Sequence, residues 1–447
     1  MAAVWRGVKM GLVGLVALLT VLALAWGASN AVDDAPQPEP DLLRLPPASA
    51  GSRLFFQLQG VMAAPGESPE AVGRQDWQRL QTLPPPDLSA SAPMFVGRLD
   101  GFKAGPLSCL PPEDCQQRLS SAPEAIAQQL QPMALLGERC QAALAEARYE
   151  EPRAPVMNLN APLPSFQGAV NCAKWFKGQA LLAAQAGDRA RALSQMASSR
   201  QLLDALLAGT ESLIGKMIAA ALVRGHLDAV TAVGLLRPAW AADLAPMAAA
   251  WPAGALDAKR WIVTEHAFSL GTVDAAFKNC GELEGLVGDR LLWLACKTAG
   301  IGLLPHATRH ALDDFWLQEA QRAQQGLDTA LDHALAVASQ PAPSLAWRNT
   351  LGMRLVDVAR PAWATYYARQ ADMELQRQAV ALFLAAQVQQ VPAADRNAWL
   401  DRQGLTARVR SRLNWEEGGQ VLQARPWQAE LPGTDPRRNP WRMRAAL

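Results

Sequence analysis

Apolar and polar positions divide the chain into stretches of different pattern. The first apolar run, residues 10–26, carries no charge and no proline. As a helix it would span roughly 25 Å at about 1.5 Å per residue, just short of a ~30 Å hydrocarbon core. Gly27 and Ala28 extend it to 10–28. From about Ala122 onward apolar residues recur at three- and four-residue spacing among Ala, Leu, Gln, Glu and Arg, the pattern of amphipathic helices. It predicts helices over 122–148, 166–186, 189–208, 211–224, 227–235, 239–250, 256–272, 284–300, 307–338, 343–360, 362–390 and 393–401. Pro361 is expected to kink or start a helix rather than divide a domain. Near the C-terminus the alternation around Gly418-Gly419 predicts two short strands joined by a glycine turn.

The first run decides the compartment of everything after it. Arg6 and Lys9 precede it, and Asp33 and Asp34 follow. The positive-inside rule then puts residues 1–9 in the cytoplasm and the body outside it, with 10–28 crossing the membrane once. Trp5 and Trp26 fall near the two interfaces, where indoles are favoured. A cleaved signal peptide is the competing reading, since Ser29-Asn30-Ala31 offers small residues at a cut site. The length of the run favours an uncleaved anchor.

Residues 29–52 are rich in Pro, Ala, Asp and Ser and are expected to form an extended linker. Turn formers dominate 53–106, predicting an irregular wrapping segment with one helix over 69–82. An α-helical domain follows over 107–412. Within it, Trp175-Phe176 and Leu181-Leu182 precede the turn Ala186-Gly187-Asp188, and Leu213-Ile214 and Met217-Ile218 precede Arg224-Gly225. The two turn glycines are 38 residues apart, within the period of helix-turn-helix repeats. Such pairs stack because one pair cannot bury its apolar face alone. The expectation is therefore TPR-like stacked hairpins. Residues 413–447 complete the chain as a β-hairpin and a loosely attached basic tail with Arg437, Arg438, Arg442 and Arg444.

The 447 residues suffice for a sizeable core. A net charge of +1 leaves no global field to attract nucleic acid. Six cysteines in an exported chain point to disulfides. Six allow fifteen connectivities; Cys109 and Cys115, flanking a short Pro-containing loop, are the clearest pair, while Cys140 with Cys172 could join neighbouring helices and Cys280 with Cys296 could staple a second loop. No Cys-x-x-Cys occurs, which argues against zinc and thiol redox sites.

The N-terminal anchor, the segment Phe55…Gly60…Ala64-Pro65-Gly66…Pro69…Gly73, the Cys109–Cys115 loop, the 186–188 turn and the late Trp-containing hairpin form one further pattern. Together they resemble a group of membrane-anchored α-helical envelope proteins of Gram-negative bacteria with no assigned activity. The resemblance implies localisation and architecture and transfers no site.

Candidate chemistry is sparse. His306 and His310, at i and i+4 on one helix face with Asp313 and Asp314 nearby, could reach one metal ion, but Ala307 stands where a zinc protease needs its glutamate. They read better as solvated surface histidines. His226 reads as a polar residue at a helix–helix turn, and His266 beside Glu265 and His333 beside Asp332 as surface pairs. No Gly-x-Ser-x-Gly, Gly-x-Gly-x-x-Gly after a strand, or P-loop is present, so no cofactor is expected. Glu138, Glu282, Glu284 and Asp289, acids near loops, are the candidates for a glycan-cleaving carboxylate pair. The expected function is a membrane-anchored periplasmic scaffold that binds another envelope protein without catalysis. The alternative is an envelope hydrolase acting on glycan or peptide.

Overall fold

The computed structural model describes residues 2–82, 99, 101–102, 105–109, 114–146, 148–154, 157–158, 161, 163–278, 303–338, 346–431 and 441–445. The protein is mainly helical, with a small three-stranded antiparallel sheet at the C-terminus. Helix α1 (Ala2–Ser29) begins the chain. Its side chains Leu15, Val16, Leu18, Leu19, Val21 and Leu24 are each more than half exposed. Among the described residues the one helix long and apolar enough to cross a membrane by length and composition is Leu213–Leu236. Val223, Leu227, Val230 and Val233 of that helix are fully buried, as in the core helix of a folded body.

Residues 30–46 depart from the free linker that their composition predicts: they form a strap along the body. Asn30 is buried; its Oδ1 accepts from Asn349 N–H at 2.7 Å and its Nδ2 donates to Trp347 O at 3.2 Å. Asp33 accepts from the N–H groups of His306 and Ala307 at 2.8 and 3.0 Å, capping the helix that starts at Pro305. A carboxylate there satisfies amides that the helix leaves open and suits its positive end. Asp34 pairs with Arg348 at 2.7 Å, and Leu43 is fully buried. Polar composition misleads here because each group finds a partner about three hundred residues away.

Within 53–106 the predicted helix over 69–82 is present as α3 (Pro69–Thr82), and α2 (Arg53–Gly60) adds a helix that the irregular reading did not include. Ser52 caps α2 by accepting from Phe55 N–H, and Leu54, Phe55, Phe56 and Leu58 are buried in the main core. Arg139 fastens the intervening turn by donating to the carbonyls of Val61, Ala63, Ala64 and Glu67. The predicted helix at 122–148 is broken into α5 (Pro123–Leu130) and α6 (Ala134–Ala143), with α4 (Cys115–Ser121) before them. Cys109–Cys115 and Cys140–Cys172 stand at disulfide distance, with Cα atoms 5.6 and 5.4 Å apart. Cys280 and Cys296 lie outside the described residues, as does the predicted helix 284–300.

Helices α7 (Gln167–Ala186) and α8 (Arg189–Gly209) form the predicted hairpin. Gly187 takes the left-handed conformation at φ 77°, and Asp188 caps α8 by accepting from Arg191 N–H. The second predicted turn does not form. Helix α9 (Leu213–Leu236) runs unbroken through Gly225 and His226. A helical glycine costs only about 1 kcal/mol, less than burying the apolar residues on either side of it contributes. The 38-residue spacing is thus not a repeat of turns.

After α10 (Ala241–Leu244) and α11 (Lys259–Lys278), the predicted helix 307–338 is two helices. These are α12 (Pro305–Gln324) and α13 (Leu327–Ala338), parted at Gly326 with φ 108°. Helix α14 (Thr350–Val388) instead fuses the two predicted around Pro361. It is the spine. Tyr366, Tyr367 and Ala371 join a second core with Trp261, Trp316 and Leu43, while Val380, Phe383 and Leu384 join the main core of α2–α9. Short helices α15 (Arg396–Asp401) and α16 (Ala407–Arg410) lead into the sheet. Strands β1 (Leu413–Glu416) and β2 (Val421–Ala424) pair as predicted around Gly418 and Gly419, both at positive φ. The described part of the basic tail is not loose: β3 (Trp441–Arg444) pairs with β2, and Arg442 and Arg444 pair with Glu417, whereas Arg437 and Arg438 lie outside the described residues.

Candidate functional site

Chemistry-bearing side chains gather at the N-terminus of α9. Four groups of residues meet there: the chain 151–154, residues 157, 161, 163 and 164, the 211–217 stretch that starts α9, and the middle of α11. With Trp77 of α3 they enclose a cleft of about 370 Å³, in the range of small-ligand sites. Its wall is chiefly apolar, with Met157, Leu163, Leu213, Ile214, Met217 and Phe268. Leu163 and Ile214 are exposed. Glu151, Glu211 and Glu265 carry the acidic groups, and Arg153 the basic one.

Glu151 is 6% exposed. Its Oε2 accepts from the N–H groups of Glu211 and Ser212 at 3.3 Å and from Ser212 Oγ at 3.2 Å, and its Oε1 lies 3.4 Å from Tyr149 Oη. Gly215 allows this approach, because a Cβ there would lie 2.9 Å from Glu151 Oε1 and 2.2 Å from Thr210 Cγ2. Burial pushes the Glu151 carboxyl up to about 7, against the pull of the Ser212 and Glu211 amides. Glu265 takes the next amide, accepting through Oε1 from Leu213 N–H at 3.2 Å. Burial pushes it also up to about 7. Lys216, one turn into α9, donates to Leu207 O, and burial draws its ammonium down to about 8. Three groups that titrate near neutrality thus surround one helix start, a clustering more frequent at functional sites than elsewhere. Ser212 completes the cap by accepting from Gly215 N–H.

The residues singled out from sequence lie elsewhere. Glu138 is exposed on α6, whereas Glu282, Glu284 and Asp289 fall outside the described residues. His266 is not a surface pair with Glu265. The two point to different sides of α11, and His266 is fully buried with Nε2 2.6 Å from Asp313 Oδ1 and Nδ1 3.6 Å from Glu39 Oε1. His333 lies 3.8 Å from Glu319 rather than with Asp332, which pairs with Arg408. His226 is inside a helix and buried, with Nδ1 2.9 Å from Ser199 Oγ and Nε2 3.3 Å from Met247 O; burial draws it down to about 3, so it is neutral. His306 contributes its backbone N–H to the Asp33 cap, and His310 Nδ1 lies 3.5 Å from Asp34. Asp314 is exposed. Among the described residues no group of three or more His, Cys, Asp or Glu side chains is gathered to hold a metal ion.

Sequence reasoning missed Glu151 and took Glu265 for the surface partner of His266. The one local sign was the proline-rich break at 152–164, whose Pro152, Met157, Leu163 and Pro164 line the cleft. What the arrangement does well is hold two carboxyls at fixed places beside an apolar wall. No protein-family model, curated protein or solved structure matches this chain, so the cleft's own geometry carries the functional reading.

Proposed function

We propose that the chain is a membrane-anchored binding protein of the bacterial envelope. In this reading α1 crosses the inner membrane, the helical body is periplasmic, and the cleft at the start of α9 holds an apolar segment of another envelope protein without catalysis. The single observation that carries it is that cleft: an apolar wall whose most buried acid, Glu151, is already committed to capping α9. Such a group serves shape and recognition better than turnover. The exposed apolar side chains of α1 support the anchor, as does the strap that ties its exit to Asn349 and Trp347. Trp347, about half exposed there, suits a membrane–water interface. The α7–α8 hairpin is the TPR-like unit of the scaffold, and the paired cysteines fit an oxidising compartment.

The test is site-specific photocrosslinking in cells from the cleft rim, with the reactive side chain placed at Ile214 or Leu163 in the full chain. The expected result is one envelope protein captured from both rim positions and not from Val388, an exposed residue at the end of α14. Equal capture from all three positions, or none, contradicts the reading. One observation favours the hydrolase alternative: two carboxyls held near neutrality in one cleft. That reading requires the purified full chain to cleave an envelope glycan or peptide, with loss of cleavage in both Glu151→Gln and Glu265→Gln.

A further inference from the structure

The two buried acids of the cleft are not served alike. Glu151 accepts three hydrogen bonds on one oxygen and has the Tyr149 hydroxyl near the other. Among the described residues, one hydrogen bond reaches the Glu265 carboxylate, from Leu213 N–H. A carboxylate offers about four acceptor positions, so most of its capacity is unused beside an apolar wall. The cleft's other charges do not fill it. Arg153 donates to Pro46 O at 2.6 Å and lies 3.5 Å from Glu211, itself one of the cleft's acids. Lys216 is engaged with Leu207 O. Three carboxyls therefore line the cleft against one guanidinium that is already committed.

An anion would be repelled there, and a neutral apolar ligand would cover the half-buried Glu265 carboxyl while leaving it the single donor from Leu213, which is costly. A primary ammonium brings three donors and the opposite charge. We propose that the cleft binds an apolar chain ending in a primary ammonium group, with the ammonium seated against Glu265 and the chain along Phe268, Met217, Ile214 and Leu163. This rests on the cleft being the binding site of the proposed function. Two sources share the chemistry: a lysine side chain within an apolar segment of the partner, and a free alkylamine.

The test is calorimetric titration of the full chain in lipid nanodiscs at pH 8, above the about 7 to which burial pushes Glu265. Hexylammonium, hexanol and hexanoate are the probes, and empty nanodiscs the blank. Hexylammonium is expected to bind about tenfold tighter than hexanol, the size of one well-placed charge-assisted hydrogen bond, and hexanoate weakest. Glu265→Gln erases the amine preference, Glu265→Asp retains part of it, and Glu138→Gln leaves it unchanged; helical content by circular dichroism verifies folding of each. Equal binding of the alcohol and the amine, survival of the preference in Glu265→Gln, or no binding by any probe overturns the proposal. If the rim crosslinks still capture an envelope protein, the scaffold reading outlives that failure; if they also vanish, both fall. Carbodiimide coupling in isolated membranes then separates the two sources. An amide between Glu265 and a protein lysine identifies a partner segment, and a small mass increment on the Glu265 peptide identifies a free amine.

Discussion

Raising the pH from 5 to 8 destabilises the native protein relative to Glu151→Gln by on the order of 3 kcal/mol. The size follows from a carboxyl pushed to about 7 in the fold and titrating near 4.3 in the unfolded chain, at roughly 1.4 kcal/mol per unit. The sign is fixed by which state holds the proton. Between the two values the folded state is protonated and the unfolded state is not, so stability is full below the unfolded value and is lost as pH rises through 7. Glu265 behaves in the same direction, raised also to about 7 by burial. His226 works oppositely, because burial holds it near 3 and the unfolded chain takes up its proton below about 6.5. The difference between native protein and variant cancels His226 and isolates Glu151. Gln keeps an oxygen for the amides of Glu211 and Ser212 and presents a donor toward Tyr149, so the cap survives. Denaturant unfolding in mild detergent at pH 5 and pH 8 measures the effect. Parallel pH profiles for the two proteins would show that Glu151 is not a buried, neutral carboxyl near pH 6.

Gly73→Ala is expected to cost about 3 kcal/mol or more, among the largest effects of any single methyl group in the protein. A Cβ at Gly73 would lie 1.9 Å from Phe56 O, and one at Gly60 would lie 1.9 Å from Pro69 O. Backbone carbonyls of two packed helices cannot swing aside as a flexible side chain can. Helices α2 and α3 would have to separate, loosening Phe55, Phe56 and Trp77, whose rings meet edge to face at 5.2 to 5.7 Å. Gln75→Ala, exposed on the outer side of α3, is the matched control and should change stability by less than about 0.5 kcal/mol. Equal unfolding midpoints for the two variants would mean that α2 and α3 are not in contact.

What was legible in the sequence was what neighbours along the chain decide. Gly187 and Asp188 mark a helix end and the next helix start within two residues, and that hairpin is present. The bounds of α3 follow from Pro69 and the turn formers beyond Thr82, and Gly418-Gly419 bends the chain between β1 and β2. The failures are the complement. Gly225 looks like a break, but tertiary burial of α9 outweighs one residue's preference. The strap reads as a solvated spacer because nothing local announces that Asn30 meets Asn349, 319 residues away. Arg442 and Arg444 read as free because nothing local announces that β3 pairs with β2, about twenty residues earlier. The candidate site is the hardest case. Glu151 and Glu265 belong to segments more than a hundred residues apart, and only the placement of α9 between them makes one cleft.

The measurement that bears most directly on the proposed anchoring and export is protease mapping of the full chain in cells. With the outer membrane opened and the inner membrane intact, protease should digest the helical body while the fragment containing α1 stays in the membrane after alkaline washing. Reducing agent should be needed before the cysteines of the undigested protein, Cys109, Cys115, Cys140 and Cys172, react with alkylating reagent. A body that survives protease until the inner membrane is broken, or a chain recovered in the soluble fraction, would contradict the account.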